Sequence, residues 1–380
     1  MDAQRDPFRE QREATGIETM RAEEQDMPLI LRLQDVRKTC KDWKTFSNDD
    51  PFMIVPHSEA DVRSVRQYPI ETDPPDHTDY RALVEPFFAR PNDPTYQADM
   101  RKLVGEILTA AAGAESVDVV REVALPLQSR SLTRLLNVDE AEATLWISWG
   151  THVFKEGDGA SKGAELANYI SEKFEQTQGS DAADFFSSLN RAEFRGRKLT
   201  LEEKHGFANM AFAGGRDTVI HTVSSIIAYF AEHPEGLDFL REDPARLITA
   251  TEEFVRYVSP LTAIARKCPH GAQVLDAQVP PGGRVGLCWP SANRDQTAFT
   301  KAEEVILDRS PNPHVGFGFG IHRCLGAPQA RLIIRSLLQA LCDQIQTIKL
   351  IEAVPEIEIE SSFSRQVGYK RLRVAFTARR

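Results

Sequence analysis

Disulfide chemistry is the first thing this chain has too little of. Its 380 residues hold five cysteines, Cys40, Cys268, Cys288, Cys324 and Cys342, and no two stand at a spacing that suggests a bridge or a shared metal. That excludes a disulfide framework and a cysteine-rich zinc site, and it points to a reducing, cytoplasmic compartment. A run of about 18 apolar residues, the length that crosses a bilayer, is also missing. The polar opening MDAQRDPFREQREATG lacks the apolar core of a secretion signal. Positive charge is in the minority, with 46 Lys and Arg against 56 Asp and Glu for a net charge of −10. A general nucleic-acid binder needs the opposite balance. Internal repeats and low-complexity tracts are absent as well. What remains is 41% hydrophobic and 27% charged, the composition of a globular chain able to bury a large core away from any membrane.

Helical periodicity fills most of that chain. Residues 76–89 follow Asp73-Pro74-Pro75 and carry Tyr80, Leu83, Val84, Phe87 and Phe88 at helical spacing. Residues 201–232 read as one long helix, opened by Thr200 as N-cap and closed by His233-Pro234. Another helix spans 244–258, between Asp243-Pro244 and Ser259-Pro260, and a further one begins near Ala327. Strand signals are short: Leu29 to Leu33, Val274 to Val279 followed by the turn Pro280-Pro281-Gly282-Gly283, Val285 to Cys288, and Leu372 to Phe376. Residues 154–165 and 178–182 read as polar loops. The expected fold is mainly α with small β-sheets, in a single domain over 1–380.

The densest chemistry lies in Phe317-Gly318-Phe319-Gly320-Ile321-His322-Arg323-Cys324-Leu325-Gly326. One cysteine sits on a glycine-rich loop just before a helix, where unpaired N–H groups of the first turn favour a thiolate. Gly318, Gly320 and Gly326 permit left-handed dihedrals and a close approach to a flat ligand, and Phe317 can cover the sulfur. A buried structural cysteine and a phosphate loop are the alternatives. Neither needs Phe, two spaced glycines, His and Cys within ten residues.

Further upstream, the long helix carries Ala213-Gly214-Gly215-Arg216-Asp217-Thr218 near its middle, with two glycines that each cost about 1 kcal/mol relative to alanine. Close approach of a ligand explains them, and Asp217 with Thr218 places an acid and an alcohol beside the opening, a pair able to relay protons. Arg216 has two readings, a solvent-facing charge or a partner for Asp217. Glu253 and Arg256, three apart, share one helix face, and Arg309 follows in VILDR ahead of the cysteine loop.

The cysteine segment resembles the haem-binding loop of the cytochrome P450 family, Phe-Gly-x-Gly-x-His/Arg-x-Cys-x-Gly, at every fixed position. The resemblance runs in order from about residue 29 to 376, and it implies a P450 fold with haem between the long central helix and the cysteine-loop helix. It further implies Cys324 as axial ligand of haem b (iron protoporphyrin IX), a thiolate that assists O–O cleavage. Phe317, Gly318 and Gly326 complete that loop. Asp217 and Thr218 match the family's distal-helix motif, and Glu253, Arg256 and Arg309 its buried brace. His77 and Arg81, Arg266, and His322 match the positions that bind the haem propionates. The same resemblance implies a monooxygenase of the soluble bacterial type, without an N-terminal anchor. It would use O2 to hydroxylate, epoxidise or O-demethylate a small or medium, mostly apolar organic substrate. Electrons would come from a ferredoxin or flavodoxin and its reductase, docked near Arg323, Arg331 and Arg335. By family analogy the substrate is lined by the loop Pro51 to Ile70, by Phe212, Ala213, Leu261, Thr262 and Ile264, and by Phe363 to Val367. His57, Arg63, Arg66, Thr262 and Arg365 are the candidate polar anchors. Met27-Pro28-Leu29-Ile30-Leu31 arrives early, so the first sheet segment is expected to be abbreviated.

Overall fold

The computed structural model describes residues 6–22, 25–50, 65–150 and 159–379. Helices dominate them. In chain order these are α1 (Arg9–Ala14), α2 (Leu33–Lys41), α3 (Asp76–Ala89), α4 (Pro94–Ala112), α5 (Leu125–Leu136), α6 (Glu142–Ser148), α7 (Gly159–Gln176), α8 (Phe185–Arg191), α9 (Leu201–Gly215), α10 (Asp217–Glu232), α11 (Glu235–Glu242), α12 (Arg246–Val258), α13 (Trp289–Ala292) and α14 (Ala327–Gln344). The strands are β1 (Ile17–Ala22), β2 (Gln25–Ile30), β3 (Val117–Asp118), β4 (Glu193–Phe194), β5 (Arg197–Lys198), β6 (Ala263–Cys268), β7 (Ala272–Val274), β8 (Ala277–Val279), β9 (Gly283–Cys288), β10 (Ile345–Ile359) and β11 (Ser364–Ala378). They form one sheet in the order β1-β2-β9-β6, a second in the order β10-β11-β3, and two short hairpins.

Burial follows from the apolar spacing. α10 buries Ile220, Val223, Ile226, Ile227 and Phe230, and this face joins one core with α4, α12, α14 and the β10–β11 sheet. A helix covered on most sides has no need of a charged face, and α10 carries no Asp, Glu, Lys or Arg between Asp217 and Glu232. A second core is aromatic. Trp146, Trp149, Tyr169, Phe186 and Phe212 meet edge to face between α6, α7, α8 and α9.

The expectations and the structure part in several places. The helix over 201–232 opens as the sequence implies, with Thr200 and Glu203 in a reciprocal capping box, but it is two helices, broken at Arg216 with φ −99° and ψ −81°. Val274 to Val279 is not one strand. It is β7 and β8, an antiparallel pair that reverses at Leu275, whose φ is +49°. The first sheet is not abbreviated, because β1 and β2 pair over six residues each; Leu33 already belongs to α2. Residues 159–165 are the start of α7 rather than loop. β10 was not signalled by its sequence, since it carries Lys349, Glu352, Glu356 and Glu358 and pairs with β11 alone in its sheet.

One buried carboxylate ties α12 to the segment that precedes the cysteine loop. Glu253 and Arg256 are both fully buried, and Arg256 donates from Nε and Nη2 to the two Glu253 oxygens, each at 2.8 Å. Arg309 Nε reaches the same carboxylate at 2.9 Å, the Ile306 N–H at 2.7 Å and Asn312 Nδ2 at 3.1 Å. The remaining guanidinium donors go to carbonyls of Asn293, Ala302, Glu304 and Thr300. Burial alone would raise the carboxyl's pKa, yet Arg256, the Ile306 N–H and Arg309 hold it below the usual range. Removing Glu253 strands two cations in the core, so Glu253→Ala is expected to cost on the order of 3–5 kcal/mol. Urea unfolding measures this, and a wild-type midpoint in the variant would show that the network is dispensable.

Candidate active site

A cavity of ≈ 2480 Å³, its mouth included, opens between the helix break and the cysteine loop. Cys324 is enclosed by protein but has its exposed surface toward this space. Its N–H donates to the Phe317 carbonyl at 2.9 Å, closing the loop on itself. The expected donors are present, since the N–H groups of Gly326 and Ala327 point at the sulfur and Arg81 and Arg331 lie within electrostatic reach. Burial nevertheless outweighs them and leaves the thiol pKa raised. A bound metal is what converts such a thiol to thiolate.

The loop's glycines have separate jobs. Gly318 and Gly320 adopt φ of +70° and +76°. A Cβ on Gly320 would lie 2.6 Å from the Cys40 carbonyl oxygen, so this glycine is required by contact with α2. Phe317 lines the cavity, and the Arg331 guanidinium sits 4.5 Å from its ring centre. Arg331 also clasps Glu252 at 2.6 and 2.7 Å, and His314 Nε2 meets the same carboxylate at 2.9 Å. Burial would push Glu252 up, but Arg331 and His314 hold it at about 2. No sequence motif marks Glu252, unlike its neighbour Glu253, yet it fastens α12 directly to α14.

Opposite the loop, Ala213, Gly214, Gly215, Asp217 and Thr218 line the cavity. Thr218 Oγ1 donates to the Gly214 carbonyl at 3.1 Å, taking an acceptor that the break removes from the helical ladder. Arg216 neither faces solvent nor closes a carboxylate clamp. It is buried, 4% exposed, and its Nη2 donates to the carbonyls of Trp146 (2.8 Å) and Gly150 at the end of α6. Burial lowers its pKa to about 10 against the opposing pull of Asp217.

Four basic groups gather on the same cavity, as the resemblance implies. The His77 and His322 rings lie 4.1 Å apart, and both are pushed toward the neutral form, first by burial and then by neighbouring positive charge; His77 falls to about 4. Among the described residues neither Nε2 has a hydrogen-bond partner. Arg81 and Arg266 are lowered by burial too, and their hydrogen bonds are to carbonyls, Arg81 to Ile321 and Arg266 to Ala265. Buried donors of this kind fit a flat ligand that carries acidic groups.

The substrate-lining expectations divide. Ala213, Leu261, Thr262, Ile264 and Val367 line the cavity. Phe212 does not; its ring packs 4.9 Å from Trp146 inside the aromatic core. Arg365 is 1% exposed and donates to the carbonyls of Val258 and Ser259 and to Thr262 Oγ1, so its charge is used internally. Arg66 is taken by Asp49 and the Glu71 carbonyl. His57, Arg63 and residues 51–64 in general lie outside the described residues. Of the three arginines expected to receive a redox partner, Arg323 is exposed, while Arg331 is committed to Glu252. Glu358, which no motif marked, lines the cavity beside Thr262.

Comparison with known proteins gives a consistent result. The family model described as "Cytochrome P450" matches residues 144–344. A solved structure described as "a carbohydrate active P450" is 43% identical, covers 98% of both chains and superposes with a TM-score of 0.95. The steroid C26-monooxygenase of Mycobacterium tuberculosis is 28% identical over 92% of this chain and 82% of its own length. The cytochrome P450 monooxygenase PikC of Streptomyces venezuelae is 29% identical over 85% of this chain and 77% of its own. Among the described residues no helix is long and apolar enough to cross a membrane.

The Glu252 clasp has a pH signature. Its carboxyl falls from an ordinary 4.5 to about 2 on folding, so the stabilisation is complete above about pH 4.5 and fades as pH drops toward 2. Glu252→Gln should therefore melt below the wild type at pH 7, with the gap closing in acid. A gap independent of pH between 7 and 3 would show that the charge of Glu252 is not what stabilises.

Proposed function

The chain belongs to the cytochrome P450 family, an oxidoreductase family of haem b enzymes, and on that footing we propose a haem-thiolate monooxygenase with Cys324 as the axial ligand. The observation that carries this reading is the facing arrangement of Cys324 and Thr218 across one cavity whose rim holds four basic side chains. When bound, the haem supplies the oxygen-activating chemistry. The protein's share lies in its own residues. His77, Arg81, Arg266 and His322 would hold the two propionates, which would complete ion pairs that these groups do not close with carboxylates among the described residues. Phe317 shields the sulfur from water, and Arg331 keeps its ring in place through the Glu252 clasp.

Proton delivery falls to the break. Thr218 keeps its hydroxyl proton on the Gly214 carbonyl, a weak acceptor from which a short rotation turns the hydroxyl toward the cavity. Asp217, one residue earlier, is the acid that replenishes it. Asp217→Asn then slows turnover as a whole. The electron donor is a separate ferredoxin or flavodoxin that docks on the face carrying Arg323.

For the substrate, two readings have support. The walls contributed by Ile70, Val84, Phe88, Leu132, Leu261 and Ile264 suit a small or medium apolar molecule. The likeness to a carbohydrate active P450 favours a sugar. A sugar with an apolar substituent such as an O-methyl group satisfies both, and its oxidation is an O-demethylation. The whole chain, 1–380, acts as a single domain in this reading.

The reduced wild type under carbon monoxide is expected to show the red-shifted Soret band of a thiolate-ligated haem, and Cys324→Ala to lose it; persistence of the band would remove Cys324 as ligand. Thr218→Ala should retain haem and ligand-induced spectral shifts, but convert reduced cofactor into hydrogen peroxide at the expense of product, with Thr218→Ser restoring much of the coupling. Product and peroxide are counted per reduced nicotinamide. An unaltered ratio in Thr218→Ala excludes the hydroxyl from proton delivery.

A further inference from the structure

A chain of three polar residues drawn from distant segments reaches the cavity, with Thr262 and Glu358 in its lining and Arg365 buried against Thr262. Thr262 precedes β6, Arg365 lies near the start of β11, and Glu358 stands directly opposite Arg365 in the β10–β11 register. Arg365 is immobilised: its Nη2 donates to the carbonyls of Val258 and Ser259 at 3.0 and 2.7 Å, and its Nη1 donates to Thr262 Oγ1 at 2.9 Å. A guanidinium has donors only, so the Thr262 oxygen accepts there and must send its own proton elsewhere. It sends it to Oε2 of Glu358.

That order fixes the carboxylate and leaves half of it available. Among the described residues Oε1 of Glu358 meets no donor, and Glu358 and Thr262 line the cavity together with the apolar Leu261 and Ile264. The basic groups His77, Arg81, Arg266 and His322 of the same cavity are the ones assigned above to the propionates. The arginine of this chain, Arg365, is spent on carbonyls and a hydroxyl. So the polar point offered to a substrate beside Leu261 and Ile264 is a negatively charged hydrogen-bond acceptor.

We propose that Glu358 is the specificity residue for the polar end of the substrate, accepting hydrogen bonds from hydroxyl groups of a neutral polyol and disfavouring molecules that bring a carboxylate to that position. The assignment rests on the monooxygenase reading and narrows its substrate class to O-alkylated neutral saccharides. It also gives the role of polar anchor to Glu358 in place of Arg365, which was one of the candidates for it. A pocket built to hydrogen-bond a hydroxyl rejects analogues without it far more strongly than an apolar pocket rejects an added methylene.

The haem-loaded protein is titrated by calorimetry with three probes: the positional isomers of mono-O-methyl hexose, methoxycyclohexane as a hydroxyl-free analogue, and an O-methyl hexuronate. The wild type is expected to bind at least one neutral hexose and to prefer it to the uronate. Glu358→Gln should weaken that hexose by about tenfold or more, the scale of a lost charged hydrogen bond, leave methoxycyclohexane unchanged, and narrow the preference against the uronate. Thr262→Val, which frees the carboxylate to swing, should weaken the hexose by less. The proposal is overturned if Glu358→Gln binds all three probes as the wild type does, if it weakens methoxycyclohexane equally, if the wild type prefers the uronate, or if the wild type binds methoxycyclohexane but no hexose. A wild type without the red-shifted carbon monoxide band brings down the monooxygenase reading and this inference with it, whereas a normal band with unaltered affinities brings down the inference alone.

Discussion

A single buried carboxylate organises the proximal half of this molecule. Glu253 takes five hydrogen bonds or more from two arginines, a backbone N–H and an asparagine; Arg256 stands one turn along the same helix, and the other donors come from the irregular chain at 306–312. The segment around residues 293–312 has no helix or strand to fix its path. The guanidinium groups of Arg256 and Arg309 replace a secondary-structure ladder there by gripping carbonyls at Asn293, Thr300, Ala302 and Glu304. The cost of taking three charges out of water is met only because every strong donor finds an acceptor. The path into the cysteine loop is thereby set before any cofactor is considered, and Glu252, one residue earlier on the same helix, extends the grip to Arg331 on α14.

The cavity face follows a different rule. There the basic side chains point inward without carboxylates to match them, and burial works against their charge. Such a surface is half of an ion pair. Its complement must be flat, since it lies between a glycine-bearing helix break and a glycine-bearing loop, and it must be acidic at one edge. The brace is self-sufficient and the cavity is not, which separates the part of the protein that folds around itself from the part that folds around a ligand.

Much of this was legible in the sequence, and the exceptions share a physical cause. Helix α3 begins and ends where its proline lead and apolar spacing place it, and α14 starts at Ala327 as expected. The glycine pair marks a weak point in the helix, but a full break at Arg216 was not legible, because the Arg216 side chain is held there by carbonyls 66 and 70 residues away in sequence. The roles of Phe212 and Arg365 misled for the same reason: family position places a residue near a cavity, but which way it turns depends on Trp146 in one case and on Val258 and Ser259 in the other. Glu358 carries no motif at all. Only strand register brings it to Thr262.

Arg216 has one more consequence, for substitution at the variable site of its motif. Gly-Gly-x-Asp-Thr leaves x unspecified, and a side chain there is ordinarily tolerated or not according to the helix alone. In this chain the residue at x is the hook on which the last turn of α6 hangs, and it holds a charge that no carboxylate clamp secures. A shorter amide would not span both carbonyls, and an ammonium could reach them only as a single point. Grafting another residue between Gly215 and Asp217 would thus leave the motif intact on paper while releasing the end of α6.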